Sequence, residues 1–267
     1  MKSLFLEEFD ATIRYHVVDG EGPVVVYLAA LSFPSLPNFL PSATHPSMPR
    51  RHSIFVDYLG VGYSEHPPAF DHSMQNHAKT VASILDHEGL TACVVVGHSM
   101  GGTVGIYLAL QRPELVSHLV VCEGNLTTGG GAGTRYFTSV PQDEFVADFF
   151  PSHLAKWREA GREGDQSAAW RCGAWEGSDF IGVYKNSLAL VQLDNDLKQK
   201  FFDLPMKRTF IYGEASLPEN TGEVTADAPD PDELRANGVS IGVVPDVGHM
   251  MMVLNPSGFV DVLKSEL

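Results

Sequence analysis

Several things are scarce in this 267-residue chain, and each shortage excludes something. Cysteine occurs only at Cys93, Cys122 and Cys172. An odd, sparse set makes no disulfide framework. Cys93 and Cys122 lie in apolar, strand-like runs, where a buried free thiol is the default. Positive charge is short: 18 Lys and Arg face 33 Asp and Glu, a net charge of −15. Such a surface has no electrostatic footing on nucleic acid or an anionic membrane, so neither is an expected partner. No apolar run reaches membrane-spanning length. Lys2 and a short apolar patch, followed by Glu7, Glu8 and Asp10, lack the apolar length of a signal peptide. A cytoplasmic location is the resulting expectation. Neither H-E-x-x-H nor C-x-x-C occurs, and no metal or cofactor is expected. Gly129 to Gly133 is glycine-rich, but no Lys-Ser or Lys-Thr follows, so it reads as a flexible hinge rather than a phosphate loop.

What is present is apolar patterning sufficient for one substantial core, with 44% hydrophobic residues. Ser3 to Glu8 and Thr12 to Val18 read as a hairpin, and Val24 to Leu28 as a strand buried on both faces. Pro34 to Pro49 reads as irregular. Ile54 to Val56, Cys93 to Val96, Leu119 to Cys122, Thr209 to Tyr212 and Ile241 to Val244 are further short strands. Ser73 to His87 has helical spacing. Another helix is expected at Asp230-Pro231, with Asp as cap, Pro at the first position and Gly238 past the end, and a last one runs toward Leu267. Strands alternating with helices predict a parallel α/β sheet joined by right-handed crossovers, with ligands at the carboxyl ends of the strands. Asp57, Ser99, Glu123 and His249 all follow predicted strands, so that edge can gather them. From Asn125 to Leu204 the strand rhythm stops and aromatics accumulate. That stretch (125–204) is expected to be a helical cap on a core made of 1–124 and 205–267.

The sharpest motif is Gly97-His98-Ser99-Met100-Gly101, set between an apolar β-branched run and a helical pattern. The flanking glycines let strand and helix approach closely while the serine sits on a strained turn with its hydroxyl exposed. Together with Asp57-Tyr58-Leu59-Gly60-Val61-Gly62-Tyr63-Ser64 after the fourth strand and Gly248-His249 near the end, this motif order resembles the α/β-hydrolase superfamily over nearly the whole chain. The resemblance implies an α/β-hydrolase fold: an eight-stranded, mostly parallel sheet flanked by helices, with a cap inserted after the sixth strand. It also implies Ser99 as nucleophile and His249 as base, in the serine-first, histidine-last order.

The acid is left open among three residues. Most of the family carries it in a turn after the seventh strand, where this chain has Gly213-Glu214-Ala215-Ser216. Some members, including haloalkane dehalogenases, carry it directly after the sixth strand, where Glu123 stands. Glu123 leads, with Glu214 and Asp246 as alternatives. The oxyanion hole is expected from the main-chain N–H groups of Met100 and Leu31; the latter lies in Ala29-Ala30-Leu31, where the family usually has His-Gly. Phe137, Phe149, Trp175 and Met250 are expected at the substrate pocket. The resulting expectation is a cofactor-free serine hydrolase acting on small, apolar esters or related acyl compounds through an acyl-enzyme. C–C bond hydrolysis, lactone hydrolysis and perhydrolysis can run on the same triad. A hydrolase-like ligand receptor with little or no turnover is the alternative from another class.

Overall fold

The computed structural model describes residues 1–267. Eight strands form one sheet: β1 (Lys2–Leu6), β2 (Ala11–Val18), β3 (Val25–Leu28), β4 (Ser53–Asp57), β5 (Cys93–His98), β6 (Val116–Cys122), β7 (Lys207–Gly213) and β8 (Ser240–Val244). Their spatial order is β1-β2-β4-β3-β5-β6-β7-β8. β1 and β2 are antiparallel to their neighbours, while β4, β3 and β5 to β8 run parallel. The β-branched runs that predicted doubly covered strands are fully buried in β3 and β5, because helices shield both faces.

The hairpin is shorter at its turn than the sequence suggests. Glu7–Phe9 closes into a single 3₁₀ turn, and Asp10 takes a left-handed conformation at φ 46° before β2 begins. A larger difference lies at Pro34 to Pro49, which is not irregular throughout. Ser35–Ala43 is a helix (α1) despite Pro37 and Pro41. Pro37 falls in the first turn, whose N–H groups have no intrahelical acceptor in any case. Burial of Ser35, Asn38, Phe39 and Ser42 then carries a helix that propensity alone would not form. α2 (Met74–His87) begins at Ser73, whose hydroxyl accepts from Asn76 N at 3.2 Å, as an N-cap should. α3 (Met100–Gln111) leaves directly from Ser99. The Asp230 cap, the helix Pro231–Ala236 and the left-handed Gly238 (φ 74°) follow the expected pattern.

Between β6 and β7 the chain contains helices and no strand; the longest are Phe150–Arg162, Gln166–Trp175 and Phe180–Val191. Their apolar faces are continuous with the sheet's core: Phe145, Phe150, Trp175 and Val183 belong to the same buried cluster as the strands. Phe145 stacks on Phe150 with ring centroids 4.9 Å apart, and Phe137 meets Phe150 edge-on at 5.4 Å. These offset and edge contacts are the arrangements aromatic quadrupoles favour.

Candidate active site

Ser99 occupies the turn between β5 and α3 with φ 53° and ψ −119°, a backbone conformation that non-glycine residues rarely adopt. The turn is held by Ser99 N–H donating to the Cys122 carbonyl at 2.8 Å and by Gly102 N–H donating back to the Ser99 carbonyl at 2.9 Å. A β-carbon on Gly101 would collide with the Leu28 carbonyl, so glycine there is a condition of the helix lying against β3. Main-chain packing therefore aims the serine.

Glu123 follows β6 immediately, again with a positive φ (46°), and its side chain is 2% exposed. Both of its oxygens are used. Oε1 accepts from Gly213 N–H at the end of β7, at 2.7 Å, and Oε2 accepts from Nδ1 of His249 at 2.6 Å. A carboxylate this buried needs such partners, since desolvating it alone is costly. With Nδ1–H donated to Glu123, the His249 Nε2 keeps its lone pair. Burial pulls the His249 pKa down, but the hydrogen bond and charge of Glu123, with a smaller contribution from Asp227, outweigh it and leave the ring above the ordinary histidine value.

His98 orients His249 from the other side. Its ring is fully buried, lies 4.8 Å from the His249 ring, and its Nε2 donates to the His249 carbonyl at 2.8 Å. Burial and the neighbouring His249 hold His98 well below the usual histidine range, so it is neutral. The chain just before His249 is also pinned, because Ala215 N–H donates to the Val247 carbonyl at 2.9 Å.

Glu214 and Asp246 lie elsewhere. Both are exposed, and Glu214 Oε2 accepts from Asp246 N–H at 2.9 Å. They tie two surface loops together, while the ring nitrogen that an acid would engage is held by Glu123. Ser99 and His249 line the same cavity, and no hydrogen bond joins the Ser99 hydroxyl to the His249 ring.

That cavity has a volume of about 460 Å³. Leu31 borders it, and Leu31 N–H donates to no group within the protein, while Met100 N–H opens α3 beside Ser99. Phe137, Trp175 and Met250 line the cavity. Phe149 does not: it packs behind the lining on Tyr136, which does border the cavity, at 5.0 Å and on His153 at 5.2 Å. Trp157, stacked on Trp175 at 5.0 Å, takes a wall position that sequence reading had not separated from the other aromatics. Asn125 and Arg171, also unforeseen, add polar groups. No local pattern marks them, because each reaches the cavity only through the path of the chain between β6 and β7. Gly131 and Gly133, in the glycine-rich run, border the cavity as well.

Comparison with known proteins agrees with this architecture. Residues 29–160 match the family described as the alpha/beta hydrolase fold. An esterase from Exiguobacterium antarcticum superposes with a TM-score of 0.77 at 18% identity, covering 99% of this chain and 98% of its own. The enol-lactonase from Burkholderia xenovorans LB400 gives 0.77 at 17% identity, with the same coverage of 99% and 98%. At those identities the similarity is one of fold. Among curated relatives, the sn-1-specific diacylglycerol lipase ABHD11 of Mus musculus is 39% identical over 115 residues, 42% of this chain and 36% of that protein. The first curated relatives are matched over only 28% to 36% of their length. The match over residues 29–160 and the superposition over the whole chain give the protein the α/β-hydrolase fold.

Proposed function

We propose that this protein is a serine hydrolase of small acyl compounds, with carboxylic esters as the leading substrate class. The observation that carries the reading is the 2.6 Å Glu123–His249 hydrogen bond in a cavity shared with Ser99 on its strained turn. Three residues distant in sequence border one cavity, which supports their acting together to activate a weak nucleophile.

In the proposed mechanism His249 Nε2 takes the Ser99 proton as Oγ attacks the carbonyl carbon. The tetrahedral oxyanion accepts from Leu31 N–H and Met100 N–H. The imidazolium, steadied by Glu123, returns the proton to the leaving alkoxide, which departs and leaves an acyl-enzyme. Water, deprotonated by His249, then attacks the acyl carbon, and its collapse releases the acid and restores Ser99. A lactone is a cyclic ester and follows the same steps. The likeness to an esterase and to an enol-lactonase supports both substrate forms.

The apolar walls from Leu31, Phe33, Phe137, Trp157, Trp175 and Met250 favour a modest apolar acyl or alcohol group. The test is labelling by a fluorophosphonate probe, compared among the native protein, Ser99→Ala and His249→Ala, followed by a p-nitrophenyl ester series. Labelling at Ser99 that depends on His249, with ester turnover, is the expected result. A folded native protein that neither labels nor turns over any ester or lactone, yet gains thermal stability from an acyl ligand, would refute the hydrolase reading in favour of a ligand receptor.

A further inference from the structure

The loop that offers Leu31 N–H has an unusual support. It contains no glycine from Ala29 to Phe33, yet Ser32 is left-handed at φ 52° and only 1% exposed. From the sheet side, Ser35 Oγ accepts from Ala29 N–H at 3.1 Å and donates to the Val56 carbonyl at 2.6 Å, while Asp57 Oδ1 accepts from Ser35 N–H at 3.1 Å. Those bonds fix the loop's two ends. Its middle is gripped by the helical stretch. Trp175 Nε1–H donates to the Leu31 carbonyl at 2.8 Å, Ser178 Oγ–H to the Ser32 carbonyl at 2.7 Å, and Asn186 Nδ2–H to Ser32 Oγ at 3.0 Å. Asn186 is itself locked, because its Oδ1 accepts from His77 Nε2 on α2 at 2.8 Å. Burial pushes the His77 pKa down to about 4, so the ring stays neutral and keeps a nitrogen lone pair and a single N–H.

We infer that Ser178 and Asn186 are positioning residues of the oxyanion hole: through Ser32 they set the direction of the Leu31 N–H. The helical stretch thereby does more than wall the cavity. Leu31 and Ser32 share the peptide unit whose carbonyl Trp175 engages, and the Ser32 carbonyl and hydroxyl are both held from outside the loop. Rotation of this segment would swing the Leu31 N–H away from the point where charge develops. Neither Ser178 nor Asn186 lines the cavity, so their influence on turnover must pass through the loop. His77 acts one step further out, by fixing the carboxamide. This inference rests on the proposed hydrolase reading and assigns a division of labour within it: the sheet aims Ser99, Glu123 and His249, and the helical stretch aims one oxyanion donor.

The test uses Ser178→Ala, Ser178→Thr and Asn186→Leu in the full chain, with a p-nitrophenyl ester as substrate. A misplaced rather than deleted donor should lower kcat about tenfold to a hundredfold with KM little changed. Ser178→Thr, which keeps the hydroxyl, should recover most of the loss. Affinity for a trifluoromethyl ketone, which forms the tetrahedral oxyanion on the serine, should fall in step with kcat, while affinity for the product acid holds. Native kcat in Ser178→Ala and Asn186→Leu proteins that unfold at the native temperature would overturn the inference. So would losses of kcat that leave trifluoromethyl ketone affinity untouched. Failure of the hydrolase reading itself is distinguishable, since it appears in the native protein as absent Ser99 labelling and absent turnover.

Discussion

At the carboxyl edge of the sheet, Ser99 and Glu123 each leave a strand through a residue with positive φ, and backbone hydrogen bonds to β6 and β7 hold them there. Across the cavity, the helical stretch between β6 and β7 meets the ligand space through side chains whose register depends on aromatic packing, such as Trp157 on Trp175 and Phe137 on Phe150. The first region is positioned by the chain's main-chain geometry and the second by side-chain interlock. Under the proposed function, the chemistry that tolerates least displacement falls to the main-chain-held edge. Shape selection then falls mainly to the packed helices, where one substitution can alter a wall without moving Ser99.

Substitutions at the sheet edge should have the largest effects. Ser99→Ala should reduce ester turnover on the order of 10⁵–10⁶-fold, with the thermal midpoint nearly unchanged because alanine keeps the β-carbon and the same strained turn. Steady-state kinetics and a melting curve check both parts. Residual activity within a hundredfold of native would show that another group is the nucleophile and collapse the contrast between the regions.

Glu123→Gln should lower kcat by about 10³–10⁴-fold, because the carboxamide favours the wrong tautomer and cannot steady the imidazolium. The pH profile carries a second signature. Only neutral His249 accepts the serine proton, so kcat/KM should be lost as pH falls through its pKa. With that pKa raised chiefly by Glu123 against burial, the native acid limb should lie above the ordinary histidine value. Removing the carboxylate leaves burial dominant, so in the variant the limb should move to lower pH. A limb that stays in place would argue against the Glu123 assignment.

A helical-stretch wall should give a smaller and different result. Trp157→Ala should change the preference for long-chain over acetyl esters by about threefold to tenfold while leaving turnover of the acetate nearly intact. A chain-length series reads this directly, and an equal fall for every ester would mean that the wall also supports the chemistry. The smallest effect is expected at Glu214→Gln, with kcat/KM within about twofold of native, because that carboxylate only links two exposed loops. A loss comparable with that of Glu123→Gln would reverse the acid assignment.

Particular residues show what was legible in advance. The elbow at Gly97 to Gly101 could be read because its demands are local: two small residues, a strand before and a helix after. Glu123 stood out as a carboxylate directly behind an apolar strand, a place where an unpaired charge is expensive. The Asp230 cap and Gly238 stop followed from backbone stereochemistry alone. By contrast α1 was hidden by Pro37 and Pro41, since nothing local reveals that Phe39 and Asn38 will be buried. Phe149 and Trp157 are aromatics in similar surroundings, yet only Trp157 reaches the cavity.

The sequence by itself determined the strand–helix alternation, the glycine-flanked turn at Ser99 and which ionisable residues follow the strands, because periodicity, glycine placement and turn chemistry act over a few residues. Only the tertiary structure decided that Glu123 rather than Glu214 meets His249, that Trp157 rather than Phe149 lines the cavity, and that Trp175, Ser178 and Asn186 grip the loop around Leu31. Those hydrogen bonds join residues 126 to 154 positions apart. Their geometry follows from how the sheet twists and the helices interlock, which no local window of sequence encodes.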